Sequence, residues 1–248
     1  MNIKTAVRTL AERLTKSHIF RCLPRGVSLF NDIKAALPNY GIEVIFDVGA
    51  NVGQSAQEYV SQHPSARIYC FEPIADTFEK LRQHTRSYPQ VQCFHLALGS
   101  SSGTAKMLSQ GSSTTNHLID ATEPQSTDDG TSTESVDLST LDDFCRSHDV
   151  SHISYLKIDT EGSDLEVLKG AENMLTRQCV DILEVEAGMT SHNQFHVPFP
   201  LIHKHLEQRN YHLFGVYEQI NEWLRREPQL RRSNLAFISQ RMIDTHRG

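Results

Sequence analysis

The sequence predicts an α/β fold organised on a doubly wound, mostly parallel sheet. Three observations carry this. Short apolar runs recur at residues 42–46, 67–71, 91–96, 153–158 and 180–185. Stretches with helical periodicity separate them, giving the alternation that right-handed crossovers require. Several runs end in an acid or a glycine turn, as strands do when their carboxyl ends rim a ligand crevice.

The elements follow in order. Residues 2–20 read as an amphipathic helix, with Val7, Leu10, Leu14 and Ile19 on one side and Lys4, Arg8, Arg13 and Lys16 on the other. Pro24 and Gly26 interrupt it, and a short helix over 29–37 ends at Pro38. Residues 1–40 are therefore expected as an N-terminal helical extension, able to pair two copies as a homodimer, and 41–248 as the main domain. The first strand, 42–46, leads through a glycine turn into a helix over 54–62, stopped by His63-Pro64. The second strand, 67–71, precedes a helix over 75–86, with Pro73 at its approach. Residues 91–96 form the third strand, and Ala97-Leu98-Gly99 a turn. Residues 103–108 read as an extra strand. From 109 to 135 the chain is rich in Ser, Thr, Asp and Gly, and so long a polar loop suits a flexible lid.

Residues 136–138 are a short apolar run, and Ser139 or Thr140 caps the helix that follows, with Asp142 and Asp143 in its first turn. The strand at 153–158 precedes a helix over 164–175. The strand at 180–185 ends near Glu184 and Glu186. A loop over 188–200 holds His192, Asn193 and His196, and a helix spans 201–208. Residues 211–216 and 235–238 close the sheet as an antiparallel C-terminal edge.

Composition narrows the function classes. The chain has 248 residues and a net charge of −6, which gives no electrostatic footprint for nucleic acid. Its five cysteines are scattered, with no C-x-x-C pair, and read as reduced residues of a cytoplasmic protein. No apolar run approaches the roughly 20 residues of a membrane span. Thirteen histidines are present, but none forms an obvious helical metal pair.

The most informative stretch is Phe46-Asp47-Val48-Gly49-Ala50-Asn51-Val52-Gly53. Glycines let the chain turn sharply and let a ligand approach the backbone. The next helix opens with unpaired N–H groups facing that ligand. A dinucleotide site wants the closer G-x-G-x-x-G spacing, which is absent. The wider turn, with Asp47 at the strand end, suits a cationic nucleoside without phosphate, such as S-adenosylmethionine. Glu72 follows roughly twenty residues after the turn, where a ribose-binding acid belongs.

Taken in order, the blocks at Phe46 to Gly53, Phe71-Glu72-Pro73, Ala97-Leu98-Gly99, Leu141-Asp142-Asp143-Phe144, Leu156-Lys157-Ile158-Asp159-Thr160-Glu161-Gly162, Val167-Leu168-Lys169-Gly170-Ala171 and Leu183-Glu184-Val185 resemble the FkbM family of S-adenosylmethionine-dependent methyltransferases. The resemblance covers roughly residues 40–190 and weakens over 109–135 and after Glu186. It implies the class I methyltransferase (Rossmann-like) fold. It also implies methyl transfer to oxygen on a small-molecule or glycan acceptor, often a sugar or a polyketide hydroxyl. Amine and carboxylate acceptors, and a non-catalytic cofactor-binding module, are the alternatives.

On this reading Asp47, Gly49, Ala50, Asn51, Gly53, Glu72, Ala97 and Asp159 contact the cofactor. A sugar hydroxyl is a poor nucleophile, so a base must take its proton. Asp159 is the first candidate, because its strand end faces the methyl group in this fold. Glu161 is the second, with helix capping as its competing role. His192 and His196 lie on a loop that could reach the site, where imidazole titrates near neutrality. Asp159 and Glu184, on neighbouring strand ends, form a candidate pair for Mg²⁺.

Overall fold

The computed structural model describes residues 23–109, 118–119, 132–222 and 226–247. The chain divides into two units, 1–39 and 40–248. In the first, helix α1 (Leu29–Ala36) is preceded by a turn in which Gly26 N donates to Asp32 Oδ2 at 2.7 Å. The amphipathic helix expected over 2–20, with the dimer contact assigned to it, lies outside the described residues.

The second unit is the α/β domain. Its strands and helices are β1 (Val44–Val48), α2 (Gln54–Gln62), β2 (Arg67–Phe71), α3 (Ala75–Thr85), β3 (Val91–Phe94), β4 (Ala97–Leu98), β5 (Gly103–Ser109), β6 (Leu118–Ile119) and β7 (Ser132–Ser139). Then come α4 (Leu141–Ser147), β8 (Ile153–Ile158), α5 (Asp164–Lys169), α6 (Glu172–Thr176), β9 (Val180–Gly188), α7 (Phe199–Glu207), β10 (Tyr211–Asn221), β11 (Leu230–Ser239) and α8 (Gln240–Thr245).

Among the described residues, seven strands form the main sheet in the order β10-β11-β9-β8-β1-β2-β3. From β3 to β9 every pairing is parallel. The order reverses between β1 and β8, which makes their carboxyl ends the switch point where such sheets bind ligands. All five residues of β1 and all nine of β9 are buried, as helices on both faces of a parallel sheet demand. The core joins these strands to α4 through an aromatic cluster. Phe71 and Phe144 meet edge to face with centroids 4.7 Å apart at 82°.

Three features depart from the sequence reading. First, β11 inserts between β9 and β10, antiparallel to both, so the reversed strand is second from the edge. Second, part of the stretch expected as a lid is strand. β7 starts at Ser132 and pairs with β5 from Gly103↔Leu138 to Ser109↔Ser132, in a second sheet ordered β4-β7-β5-β6. The apolar residues of β7 come only at its end, where Val136 and Leu138 pack in a small cluster with Ile74, Ala97 and Met107; its first residues are polar and carry no strand signal. Residues 110–117 and 120–131 lie outside the described residues.

Third, the single helix expected over 164–175 is two, α5 and α6, separated at Gly170. A Cβ at Gly170 would stand 2.0 Å from the Gly99 carbonyl oxygen, so the loop after β4 can cross there only against glycine. The expected cap of α4 is Thr140, whose Oγ1 accepts from Asp143 N at 3.0 Å. Among the described residues, no helix is long and apolar enough to cross a membrane.

The Gly170 contact makes a clean prediction, because its φ of −72° suits any residue and only the space is missing. Gly170→Ala is expected to lower the unfolding free energy by about 2–4 kcal/mol. Urea denaturation measures this, and an unchanged midpoint would show that the crossing yields without cost.

Candidate active site

The site begins with the turn after β1. Gly49 N and Ala50 N both donate to Phe71 O, at 3.1 and 3.0 Å, which clamps the turn onto the end of β2. Gly49 has φ +83°, and a Cβ there would lie 1.9 Å from Asp159 O. Glycine is thus what lets the exit of β8 pass beside the turn. Asn51 follows at φ 49°, and Gly53 at φ 90° starts α2 with its N–H on Ala50 O.

Glu72, at the end of β2, ties the turn to the next helix. Its Oε2 accepts from Asn51 N at 3.1 Å, and its Oε1 from Ile74 N at 3.0 Å. Burial pushes its carboxyl up to about 7, against these two N–H groups. Each oxygen keeps a lone pair free for a further donor.

A cavity of about 650 Å³ opens over these elements. That size suits a small-molecule site. Gly49, Ala50 and Asn51 form one wall, Glu72, Pro73 and Ala97 another, and Lys157, Asp159, Thr160 and Glu161 a third. Most residues expected to bind the cofactor therefore meet in one space.

Asp47 does not reach that space. It is fully buried, and neither carboxylate oxygen has a hydrogen-bond partner among the described residues. Its register partner Lys157 shares its face of the sheet, and of the two only the longer Lys157 side chain reaches the cavity wall. Burial pushes its carboxyl up to about 6, opposed by the Lys157 ammonium. Gly53 also stays off the cavity wall, where it shapes the start of α2.

Lys157 is the counter-charge of the site. Its Nζ lies 2.9 Å from Asp159 Oδ2. Burial works against its charge, but Asp159 and Asp47 outweigh burial and hold it above the ordinary lysine range. Glu184 accepts from the Tyr155 hydroxyl, and burial raises its carboxyl.

Glu161 lines the cavity in a left-handed conformation, φ 50°. Burial, then Asp159, raise its carboxyl. The capping role weighed for it is not seen: α5 has no side-chain cap, and Asp164 at its start holds the preceding loop, its two oxygens taking Thr160 N at 3.0 Å and Gly162 N at 3.2 Å. His192 is exposed and off the cavity. The histidine that meets the site is His196, buried, with Nε2 3.7 Å from Glu161 Oε2 and 2.7 Å from Glu186 Oε2. The loop reaches this position because Gly162 has no Cβ, which would stand 2.6 Å from Phe195 O.

Sequence reasoning also missed Glu218 of β10 and Met107 of β5 as wall residues. Neither carries a local signal, since both arrive through long-range strand pairing. Glu186 had one: it sits two residues beyond Glu184 and so shares its face of β9.

Removing the counter-charge should be costly. Lys157→Met is expected to destabilise by about 3–5 kcal/mol at pH 8, because buried carboxylates lose their partner. Asp47 binds a proton more tightly in the folded chain than in the unfolded one. Its ionisation cost is therefore absent below its ordinary value and develops as pH rises through about 6. The loss in Lys157→Met should accordingly shrink at pH 5. Denaturation at both pH values tests this, and equal losses would contradict it.

Comparison with known proteins finds relatives among methyltransferases. The chain is 31% identical over 153 residues to the hexuronic acid methyltransferase AglP of Haloferax volcanii, an alignment covering 59% of this chain and 57% of that protein. It is 26% identical over 148 residues to the 2-O-methyltransferase NoeI of Sinorhizobium fredii, covering 54% and 59%. The chain thus spans less than two thirds of the length of these curated relatives. Among solved structures, fibrillarin of Aeropyrum pernix in complex with natively bound S-adenosyl-L-methionine superposes with a TM-score of 0.46 at 12% identity, covering 95% of this chain and 74% of that one. The methyltransferase FkbM domain model matches residues 47–213, from the first strand end to the start of β10, and the chain belongs to that family.

Proposed function

We propose that this chain is an S-adenosylmethionine-dependent O-methyltransferase that methylates a hydroxyl of a carbohydrate or glycan precursor. The carrying observation is the cavity at the switch point, bounded by the glycine turn, by Glu72 and by the Asp159 and Glu161 carboxylates. The family supports the reaction class, and the two sugar-related relatives support the acceptor class.

In this reading the adenosine ribose lies on Glu72, and the methionine part lies over Gly49, Ala50 and Asn51. The acceptor oxygen attacks the methyl carbon. The sulfur–carbon bond breaks, the oxygen–carbon bond forms, and S-adenosylhomocysteine leaves. The sulfonium is already an activated donor, so rate comes from alignment and from removing the hydroxyl proton. Asp159 takes that proton, with Lys157 holding the carboxylate in place. Glu161 faces the acceptor side. Mg²⁺ held by Asp159 and Glu184 is not part of this reading, because the Lys157 ammonium already sits on Asp159 and Tyr155 donates to Glu184.

A cytoplasmic location belongs to the same proposal and is supported by four free thiols among the described residues. So does a homodimer through the N-terminal helices, supported by the apolar stripe at Val7, Leu10, Leu14 and Ile19. Light scattering on the full chain reads the dimer directly, and a monomer rejects it.

Calorimetry with S-adenosylmethionine should give micromolar binding to wild type and at least roughly tenfold weaker binding to Glu72→Ala, about 1.4 kcal/mol. With a sugar acceptor, Asp159→Asn is expected to lower kcat by about 10²-fold or more. Glu161→Gln should act mainly on KM. Cofactor binding without turnover on any hydroxyl, amine or carboxylate acceptor would favour a non-catalytic module. No cofactor binding at all would sink the proposal.

A further inference from the structure

Behind the cavity wall, β9 and the loop after it bring Glu186 and His196 against Glu161. One oxygen or nitrogen of each residue falls within 4.8 Å of the others. Glu186 and His196 are 4% and 7% exposed, so the pair is shut away from bulk water, while Glu161 opens onto the cavity.

The hydrogen bonding around His196 settles which nitrogen is free. Asn193 Nδ2 donates to Arg231 O at 3.0 Å, which fixes the amide with Oδ1 toward the imidazole. That Oδ1 accepts from Phe195 N and His196 N at 3.1 and 3.3 Å, and stands 3.0 Å from His196 Nδ1. Nδ1 therefore carries the proton. With Nδ1 engaged by Asn193, Nε2 is the ring atom that faces the two carboxylates. Nε2 stands 2.7 Å from Glu186 Oε2 and 3.7 Å from Glu161 Oε2. Three side chains able to ligate an ion thus bring one donor atom each to the same point at the cavity wall.

We propose that Glu161, Glu186 and His196 bind a divalent transition-metal ion of the Mn²⁺ or Zn²⁺ class at the cavity wall. One imidazole and two carboxylates are a borderline donor set that suits these ions better than Mg²⁺. Donors about 2.1 Å from an ion stand roughly 3–3.5 Å apart, and the observed 2.7 and 3.7 Å bracket that spacing. The surrounding shell is of the kind metal ligands need. Asn193 holds the far nitrogen of the histidine, and Arg232 binds the other oxygen of Glu186. Positions facing the cavity stay open for an oxygen of the acceptor, whose hydroxyl the ion would acidify for Asp159. Ion binding itself is independent of the methyltransferase reading; only that last use rests on it.

The test is titration of the chelator-treated full chain with Mn²⁺, read by the EPR signal of free Mn²⁺, with Zn²⁺ as competitor. S-adenosylhomocysteine binding is measured in parallel. The expected result is one site per chain, weakened at least tenfold in His196→Ala, in Glu186→Gln and in Glu161→Gln. In the same variants S-adenosylhomocysteine affinity stays within about threefold of wild type, which reports an intact fold. Wild type that binds neither ion at micromolar levels, yet binds S-adenosylhomocysteine, overturns the site and leaves a His–Glu pair sharing a proton. Ion binding that persists unchanged in all three variants overturns it as well. Ion binding without S-adenosylhomocysteine binding upholds the site and removes the methyltransferase reading instead.

Discussion

The structure depends on one buried cation. Asp47, Lys157 and Glu184 stand in register on β1, β8 and β9, so their side chains share one face of the sheet. Asp159 joins them just beyond the strand end. Four ionisable groups thus meet in little water, where an unpaired charge costs several kcal/mol. Lys157 keeps that arrangement viable. Burial outweighs its attraction at Asp47 and Glu184, which hold their protons more firmly than ordinary acids.

Backbone proximity is the second constraint. The site exists because three chain segments approach more closely than side chains allow. Gly49 admits the exit of β8, Gly162 admits the loop carrying Phe195 and His196, and Gly170 admits the crossing after β4. At Gly49 and Gly162 positive φ adds a second reason for glycine, whereas at Gly170 space alone decides. These contacts draw the ends of β1, β2 and β8 into one rim, and Glu72 then stitches the rim by accepting N–H groups from both of its neighbours. The carboxylates that face the cavity are therefore held by main-chain geometry, with little freedom to drift.

Much of this was legible in the residue order. The strand-turn-helix at Val44 to Gln62, the acid Glu72, and the Asp159–Glu161 pair all carry local signals, and all but the strand interior reach the cavity or its edge. Asp47 shows where such reasoning stops: an acid in the right motif stays buried, short of the cavity that the longer Lys157 side chain on the same face of the sheet reaches. His192 and His196 make the same point on a loop. They stand four residues apart in one polar stretch, and the Asn193 side chain, by folding the loop on its own N–H groups, buries the second and exposes the first.

By itself the sequence determined the fold class, the succession of the parallel strands along the chain up to β9, the glycine turn after β1, and the family. These rest on local patterns, apolar runs, glycine spacing and strand-end acids, that any segment carries within itself. Only the tertiary structure decided the insertion of β11, the second sheet, the arrival of Glu218 and Met107 at the cavity, and the meeting of Glu161 with Glu186 and His196. Each of these depends on which distant segments pair and in what register. A one-residue slip would leave the local pattern unchanged and turn every side chain to the other face.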